Sequence, residues 1–159
     1  MKKMLVVAGV ICVGLSAGSA WARSDSSSAE QAIGRLEAKM LQAANAHDTD
    51  AFMTPMLHSS SLVLVFDGTI IRGWDALHAQ QLKWWRNGKS DATYAHRSPP
   101  EFMALAPDVE LVTLPNVSTR TCSDGKVGAG TFVVTDVWRR LPRGWRIVYS
   151  HESWAKRPC

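Results

Sequence analysis

A chain of 159 residues, of which 46% are hydrophobic and 20% charged, is long enough for one domain with one core. Its formal net charge of +4 is mild, and lysines and arginines do not cluster between aromatic residues, which argues against nucleic-acid binding. No spacing of His, Cys, Asp or Glu is typical of a metal site, and the chain has no Gly-rich phosphate loop. We therefore expect no metal and no other cofactor.

Residues 1–22 have the pattern of a cleaved secretory signal peptide. A basic start (KK) precedes the apolar run LVVAGVICVGL, and the segment ends in the small-residue motif AWA. The run is shorter than the roughly 20 apolar residues that a membrane-spanning helix needs. We predict cleavage between Ala22 and Arg23 and a periplasmic or secreted protein without a stable membrane anchor. An uncleaved anchor is the alternative.

The next segments are predicted to be a linker and two helices. Residues 23–28, RSDSSS, form a polar linker, and the serines at its end stand three residues before a Glu and a Gln, the spacing of a capping box. Apolar residues then recur at helical spacing, which predicts an amphipathic helix over 29–46. Asp48 or Thr49 can cap a second, shorter helix.

A β-hairpin and a third helix follow. The apolar runs LVLVF (62–66) and TIIR (69–72) flank an Asp67-Gly68 step, which is a strong signal for a tight turn between two antiparallel strands. The spacing of apolar residues after the hairpin predicts a helix over 74–87, because a glycine then ends the pattern.

The rest of the chain is predicted to be strand. Pro99-Pro100 interrupts the first long strand, because proline cannot donate to a ladder. The economical arrangement is an α+β fold: a curved antiparallel sheet shaped like a cone, with the three N-terminal helices packed on its concave face and a cavity at its open end. It forms a single domain over 29–159, with long strands at 92–105, 109–121, 128–140 and 145–154.

Two cysteines remain when Cys12 is removed with the leader. In an exported chain, Cys122 and Cys159 are more typical of a disulfide than of a metal site. In an antiparallel sheet the strand before Cys122 and the strand before the tail end at the same edge, so the two thiols lie within reach of each other. We predict a disulfide between Cys122 and Cys159 that pins the tail across the cavity mouth, with an intermolecular bridge as the alternative.

Three stretches resemble the nuclear transport factor 2-like superfamily: HDTDAFMTPM (47–56), GTIIRGWDAL (68–77) and VTDVWRRLPRGWRIVYSHESW (134–154). The nearest branch looks like the small SnoaL-like proteins and the association domain of calmodulin-dependent kinase II. The resemblance covers nearly all of the chain after the leader and implies the same cone fold. It implies no single function, because the superfamily includes isomerases, cyclases, dehydratases and oligomerisation modules.

The resemblance also indicates which strand faces line the cavity. In the kinase association domain, residues matching Asp136 and Glu152 line the pocket, and strand alternation then turns a further set inward. By the same alternation Trp154 faces the cavity, and His151 and Trp145 face the other side of the sheet. The candidate acid–base residues are Asp136, Glu152 and His96, and the candidate ligand-binding residues are Tyr94, Asn116, Arg120, Trp85 and Trp138.

This set of residues favours a small-molecule site with proton-transfer chemistry. A carboxyl buried in an apolar cavity has a raised pKa and can move a proton next to a carbonyl without a cofactor. We expect an exported protein that binds a small apolar or carbonyl-containing molecule, and the reaction would be that of an isomerase, cyclase or dehydratase. In the alternative, Asp136 or Glu152 only pairs with Arg120 or Arg146.

A non-catalytic module is the second function that the sequence leaves open. The outer face of the sheet, carrying Trp145, Tyr149 and His151, would then form a homodimer, and the cavity would hold a ligand or nothing. A cavity plugged by Trp138 or Trp154 would favour this module. A homodimer through the sheet is compatible with either function.

Overall fold

The structure, a computed structural model, describes residues 18–159, with side chains described from residue 28. In that part of the chain no helix is long and apolar enough to cross a membrane. Most of the predicted leader lies outside the described residues, and cleavage after Ala22 stays a prediction. The elements are α1 Gly18–Ala46, α2 Thr49–Met53, β1 Val63–Phe66, β2 Thr69–Arg72, α3 Trp74–Trp84, β3 Thr93–His96, β4 Glu101–Ala106, β5 Val109–Thr121, β6 Val127–Leu141 and β7 Gly144–Lys156.

Helix α1 begins earlier than the sequence pattern predicted. It starts at Gly18, so residues 23–28, predicted as a linker, are helical in the structure. No glycine or proline interrupts RSDSSSAEQAI, and Ser or Asp costs a helix only about 0.5 kcal/mol relative to Ala. Later in the helix, Ile33, Met40 and Ala44 are buried at helical spacing, so this face packs toward the sheet.

The sheet is curved, unclosed and mixed, with the strand order β2-β1-β7-β6-β5-β3 and with β4 also paired to β5. Most neighbours are antiparallel, as predicted, but β1 runs parallel to β7, with Phe66 opposite Glu152. The prediction of a wholly antiparallel sheet is therefore wrong at this one pairing. Hairpin connections determine only how β1 pairs with β2, and they leave the direction of β1 against a distant strand open.

Positive φ angles mark both the hairpin turn and the chain reversal after α3. Asp67 has φ 41° and Gly68 has φ 82°, which is the backbone that a two-residue turn between twisted strands needs at both positions. The predicted hairpin is confirmed. Helix α3 ends at Trp84 rather than at residue 87, because Asn87 and the residues beside it already have positive φ.

The predicted strand over 92–105 is two strands. The chain breaks at Pro99-Pro100, and β3 and β4 pair with different halves of β5. Tyr94 of β3 lies opposite Ser118, near the end of β5. This places β3 at the same end of the sheet as the C-terminal tail.

The hydrophobic core lies between the helices and the inner face of the sheet. Each fully buried aliphatic side chain contributes about 1.5–3 kcal/mol to folding. The sheet residues in this core belong to the half of β5, β6 and β7 that is distant from the tail, which leaves the other half to a cavity. The largest fully buried side chains are Trp138, Ile33, Met53, Leu62, Leu77, Ile147 and Val112.

Candidate functional site

A cavity of about 400 Å³ lies between the inner face of the sheet and helices α1 and α3. This volume is in the range of small-molecule sites, which are mostly apolar with a few polar groups. Met40, Leu77, Leu114 and Val134 are among its apolar walls. The ionisable and amide side chains that line it are Glu37, Gln81, Tyr94, His96, Asn116, Arg120, Asp136, Glu152 and Arg157.

The strand register orders these groups from a deep end to a mouth. Asp136 lies opposite Val112 in β5 and is only 2% exposed. Glu152 lies two cross-strand pairs closer to the tail, opposite Val134. Arg120 is near the end of β5, and the cavity-lining tail residues beside it include exposed side chains. The cavity therefore opens at the tail end of the sheet.

Asp136 and Glu152 are the two sheet carboxyls of the cavity. Burial raises the pKa of Asp136 to about 7, the nearby Ser150 hydroxyl opposes this rise, and Glu152 adds to it. Burial likewise raises the pKa of Glu152 to about 7, against the hydrogen bond from Trp154. Trp154 Nε1 donates to Glu152 Oε1 at 2.7 Å, whereas Asp136 Oδ1 has no hydrogen-bond partner among the described residues.

A third carboxyl, Glu37 of α1, lines the deep end of the cavity. It is 4% exposed, and Trp138 Nε1 donates to its Oε1 at 3.1 Å. Burial, followed by the charge of Asp136, raises the pKa of Glu37 well above its usual range. Two buried carboxyls thus influence each other at this end, and a neutral Glu37 can donate a hydrogen bond there.

Two polar pairs line the wall formed by β3. His96 Nδ1 donates to Asn116 Oδ1 at 2.8 Å. Trp85 Nε1 donates to the Tyr94 hydroxyl at 3.1 Å, and burial raises the pKa of Tyr94. The structure therefore brings four of the expected residues to one wall of the cavity, nearer to its mouth than Asp136: Trp85, Tyr94, His96 and Asn116.

The C-terminal tail crosses the cavity mouth and is tied down at its end. Cys122 and Cys159 form a disulfide with Cα atoms 5.8 Å apart, so the predicted intramolecular bridge is confirmed. Arg157 contacts the Asp67 carboxylate, and its guanidinium lies 4.9 Å from the centre of the Phe66 ring. Arg157, Pro158 and Cys159 also line the cavity.

Trp138 does not line the cavity, contrary to the expectation that it forms a wall. Its side chain is 0% exposed and lies in the core. Its indole N–H donates a hydrogen bond to the Glu37 carboxyl, as described above. Trp138 thus holds a cavity residue in place, because α1 covers this part of the sheet. Trp154 lines the cavity without filling it.

A β-bulge changes which residues of β7 face inward. The pairing with β6 shifts opposite residues 137–138, so that Val148 is the extra residue. Trp145, predicted on the outer face, therefore lies in the core with 7% exposure. Beyond the bulge the predicted alternation holds: Glu152 lines the cavity and His151 is exposed.

Residues 33–156 match the family model of the SnoaL-like domain. The chain belongs to the SnoaL-like family. No curated protein matches it.

Solved structures with this fold are similar over most of the SnoaL-like chain. A nuclear transport factor 2-like superfamily protein from Salmonella enterica serovar Typhimurium is 21% identical, with 84% of this chain and 95% of that chain covered and a TM-score of 0.70. The association domain of C. elegans CaMKII is 16% identical, with 82% and 98% covered and a TM-score of 0.66. A candidate dehydratase from Streptomyces avermitilis is also 16% identical, with 82% and 98% covered and a TM-score of 0.70. At these identities the likeness shows the fold alone.

Sequence reasoning missed two groups of this SnoaL-like site. Glu37 stands four residues after Ile33 and three before Met40, so it falls on the apolar face of the helix. An ionisable residue on the buried face of a predicted helix is unusual, and this could have indicated that Glu37 belongs to a site. Arg157 gave no signal, because its position over the cavity depends on how the tail folds back after β7.

The potential metal-ligating side chains are dispersed in the part of the chain that the structure describes. Among residues 18–159 no group of three or more His, Cys, Asp or Glu side chains is placed to hold a metal ion. The carboxyls Glu37, Asp136 and Glu152 line one cavity without forming such a group.

Proposed function

We propose that this SnoaL-like protein binds a small, largely apolar, carbonyl-containing molecule and moves a proton on it, as an isomerase, cyclase or dehydratase does. The observation that carries this proposal is the presence of Asp136 and Glu152 on the wall of one largely apolar cavity. Burial raises the pKa of each to about 7. Near neutral pH both the acid and the base forms of each group are therefore populated, which suits proton transfer.

The deep end of the cavity suggests how the proton moves. Asp136 is the base, because its Oδ1 has no partner among the described residues. It takes a proton from the carbon next to the carbonyl. The electron pair of that C–H bond forms a C=C bond, and the π electron pair of the carbonyl moves onto its oxygen to give an enolate. Neutral Glu37 donates a hydrogen bond to this oxygen. In an isomerisation Asp136 then returns this proton to another carbon of the enolate. In a dehydration protonated Glu152 gives its own proton to the leaving oxygen as the C–O bond breaks.

Export is part of the same proposal. The leader pattern of residues 1–22 and the disulfide between Cys122 and Cys159 both fit an oxidising compartment. A cavity domain over 29–159 would then meet its ligand in the periplasm or outside the cell. Native mass spectrometry of the protein from its own cells would identify a retained ligand and the subunit count together.

Deuterium exchange tests the chemistry without a known substrate. The protein is incubated in D₂O with a panel of cyclic and open-chain ketones, and deuterium at the carbon next to the carbonyl is followed by mass spectrometry. We expect the wild type to accelerate exchange of at least one ketone, and Asp136→Asn to lose that acceleration by about 100-fold or more. Asp108→Asn, a change at an exposed aspartate, is the control. Exchange no faster than in buffer, or unchanged in an Asp136→Asn and Glu152→Gln double variant, contradicts the proposal.

A dimerisation module is the second candidate function. Met103 and Val133 lie on the outer face of the sheet and are 59% and 39% exposed. Tyr149 and His151 of β7 share this face, whereas Trp145, also expected there, is in the core. An exposed apolar sheet face favours a homodimer, and the structural neighbour from C. elegans is itself an association domain. Such a dimer is compatible with the chemistry proposed above.

A further inference from the structure

The two arginines at the cavity mouth, Arg120 and Arg157, differ in whether other side chains bind their guanidinium groups. Arg157 contacts Asp67 and lies over the rings of Phe66 and Trp154. Arg120 also lines the cavity, but no hydrogen bond or ion pair holds its guanidinium in the part of the chain that the structure describes. Its charge is therefore available to a ligand.

The backbone N–H of Thr121 and, more weakly, the charge of Arg120 lower the pKa of Asp91. Asp91 therefore attracts Arg120, but other donors already occupy both of its carboxylate oxygens. Asp91 accepts from Arg86 Nη2 at 2.9 Å and from the backbone N–H of Thr121 at 2.8 Å. Tyr94, on the neighbouring strand, contributes a neutral hydroxyl that faces Trp85. A single unpaired guanidinium presents two parallel N–H donors, which match one carboxylate in bidentate geometry.

The strand register places the Cα atom of Arg120 far from that of Asp136. Arg120 is eight positions beyond Val112, which pairs with Asp136, and at about 3.3 Å per residue the two Cα levels are up to roughly 26 Å apart. The wall between them carries the apolar side chains of Leu114, Phe132 and Val134 and also the polar side chains of Asn116 and Ser118, although the cavity surface as a whole is mostly apolar. A ligand that reaches both ends is therefore long and largely apolar between two polar ends.

We propose that the ligand is an elongated oxo carboxylate, with its carboxylate held by Arg120 at the mouth and its carbonyl at the Asp136 end. The position of the carbonyl rests on the proposed function, whereas the carboxylate site rests only on Arg120 and the shape of the cavity. The anionic end stays at the mouth, away from Glu37, Asp136 and Glu152, because a second negative charge beside these carboxyls would be unfavourable.

Matched acids and esters test the carboxylate site. Medium- and long-chain oxo carboxylic acids and their methyl esters are titrated against the protein, and binding is followed by calorimetry and by tryptophan fluorescence. We expect the wild type to bind at least one acid about 10-fold or more tightly than its ester. Arg120→Gln is expected to bind both equally, Arg120→Lys to recover part of the preference, and Arg140→Gln, an exposed arginine at the other end of β6, to behave as the wild type.

The outcomes separate this inference from the proposed function. Equal binding of acid and ester by the wild type, no binding of either, or a preference that survives in a folded Arg120→Gln variant overturns the carboxylate site. Asp136→Asn is expected to keep the preference for the acid and to lose deuterium exchange. If the preference is found at Arg120 but the wild type exchanges no deuterium, the carboxylate site stands and the proton-transfer function is wrong.

Discussion

At the scale of single residues, the ionisation of Asp136 competes with folding. Burial raises its pKa from an ordinary value of 3.8 to about 7, so between these pH values the folded state keeps a proton that the unfolded state has lost. Because the folded state binds more protons, the free energy of unfolding falls as pH rises from about 4 to about 7. The loss is complete above that range and amounts to at most about 4 kcal/mol.

Asp136→Asn removes this dependence, because the amide has the same shape and cannot ionise. We expect the variant to gain more than about 1 kcal/mol in unfolding free energy relative to the wild type on going from pH 5 to pH 8. Urea denaturation at the two pH values measures this change. Asp124→Asn, at an exposed turn residue, should show no such gain. A difference between variant and wild type that is independent of pH would contradict the raised pKa.

At the scale of elements, the C-terminal tail packs closely against β6 at two glycines that leave no room for a side chain. A Cβ atom at Gly128 would lie 1.9 Å from the carbonyl oxygen of Pro158, and one at Gly130 would lie 2.6 Å from that of Lys156. Both contacts are with backbone, which cannot rotate away as a flexible side chain can. These glycines allow the tail to lie directly on the sheet at the cavity mouth.

Gly130→Ala is therefore expected to displace the tail and to lower the free energy of unfolding by about 1–3 kcal/mol. Gly34→Ala in α1, where an added Cβ meets nothing within 4 Å, is the matched control and should be neutral or stabilising by up to about 1 kcal/mol. Hydrogen exchange at the backbone amides of residues 154–157 reports on the tail itself, and urea denaturation measures the stability of the whole domain. Unchanged exchange in Gly130→Ala would show that the tail does not depend on this contact.

At this scale, features that depend on residues close in the sequence were predictable, and features that depend on contacts between distant segments were not. The Asp67-Gly68 turn depends on adjacent residues, and the pairing of Cys122 with Cys159 on the order of antiparallel neighbours, so both were predictable. The parallel docking of β1 on β7 and the bulge at Val148 depend on contacts between distant segments. The bulge moved Trp145 into the core, because one inserted residue reverses the face of every residue before it.

At the scale of the whole molecule, the outer face of the sheet is the surface that a second copy would cover. Cross-strand pairing joins Met103 to Leu111, Leu111 to Val137, and Val137 to Tyr149 in one row. Val133 adds an exposed apolar side chain on the same face. A dimer here would leave the cavity, on the opposite face of the sheet, open to ligand.

Val133→Lys is expected to weaken such a dimer by about 10-fold or more, because it buries an unpaired charge in an apolar interface. Since Val133 is already 39% exposed in the single chain, the monomer should keep its fold. Light scattering across a concentration series measures the dimer, and circular dichroism checks the fold. Val127→Lys, at the end of the same strand where the side chain is 74% exposed, is the control. A wild type that is monomeric at high concentration, or a Val133→Lys variant as dimeric as the control, would show that this face is not the interface.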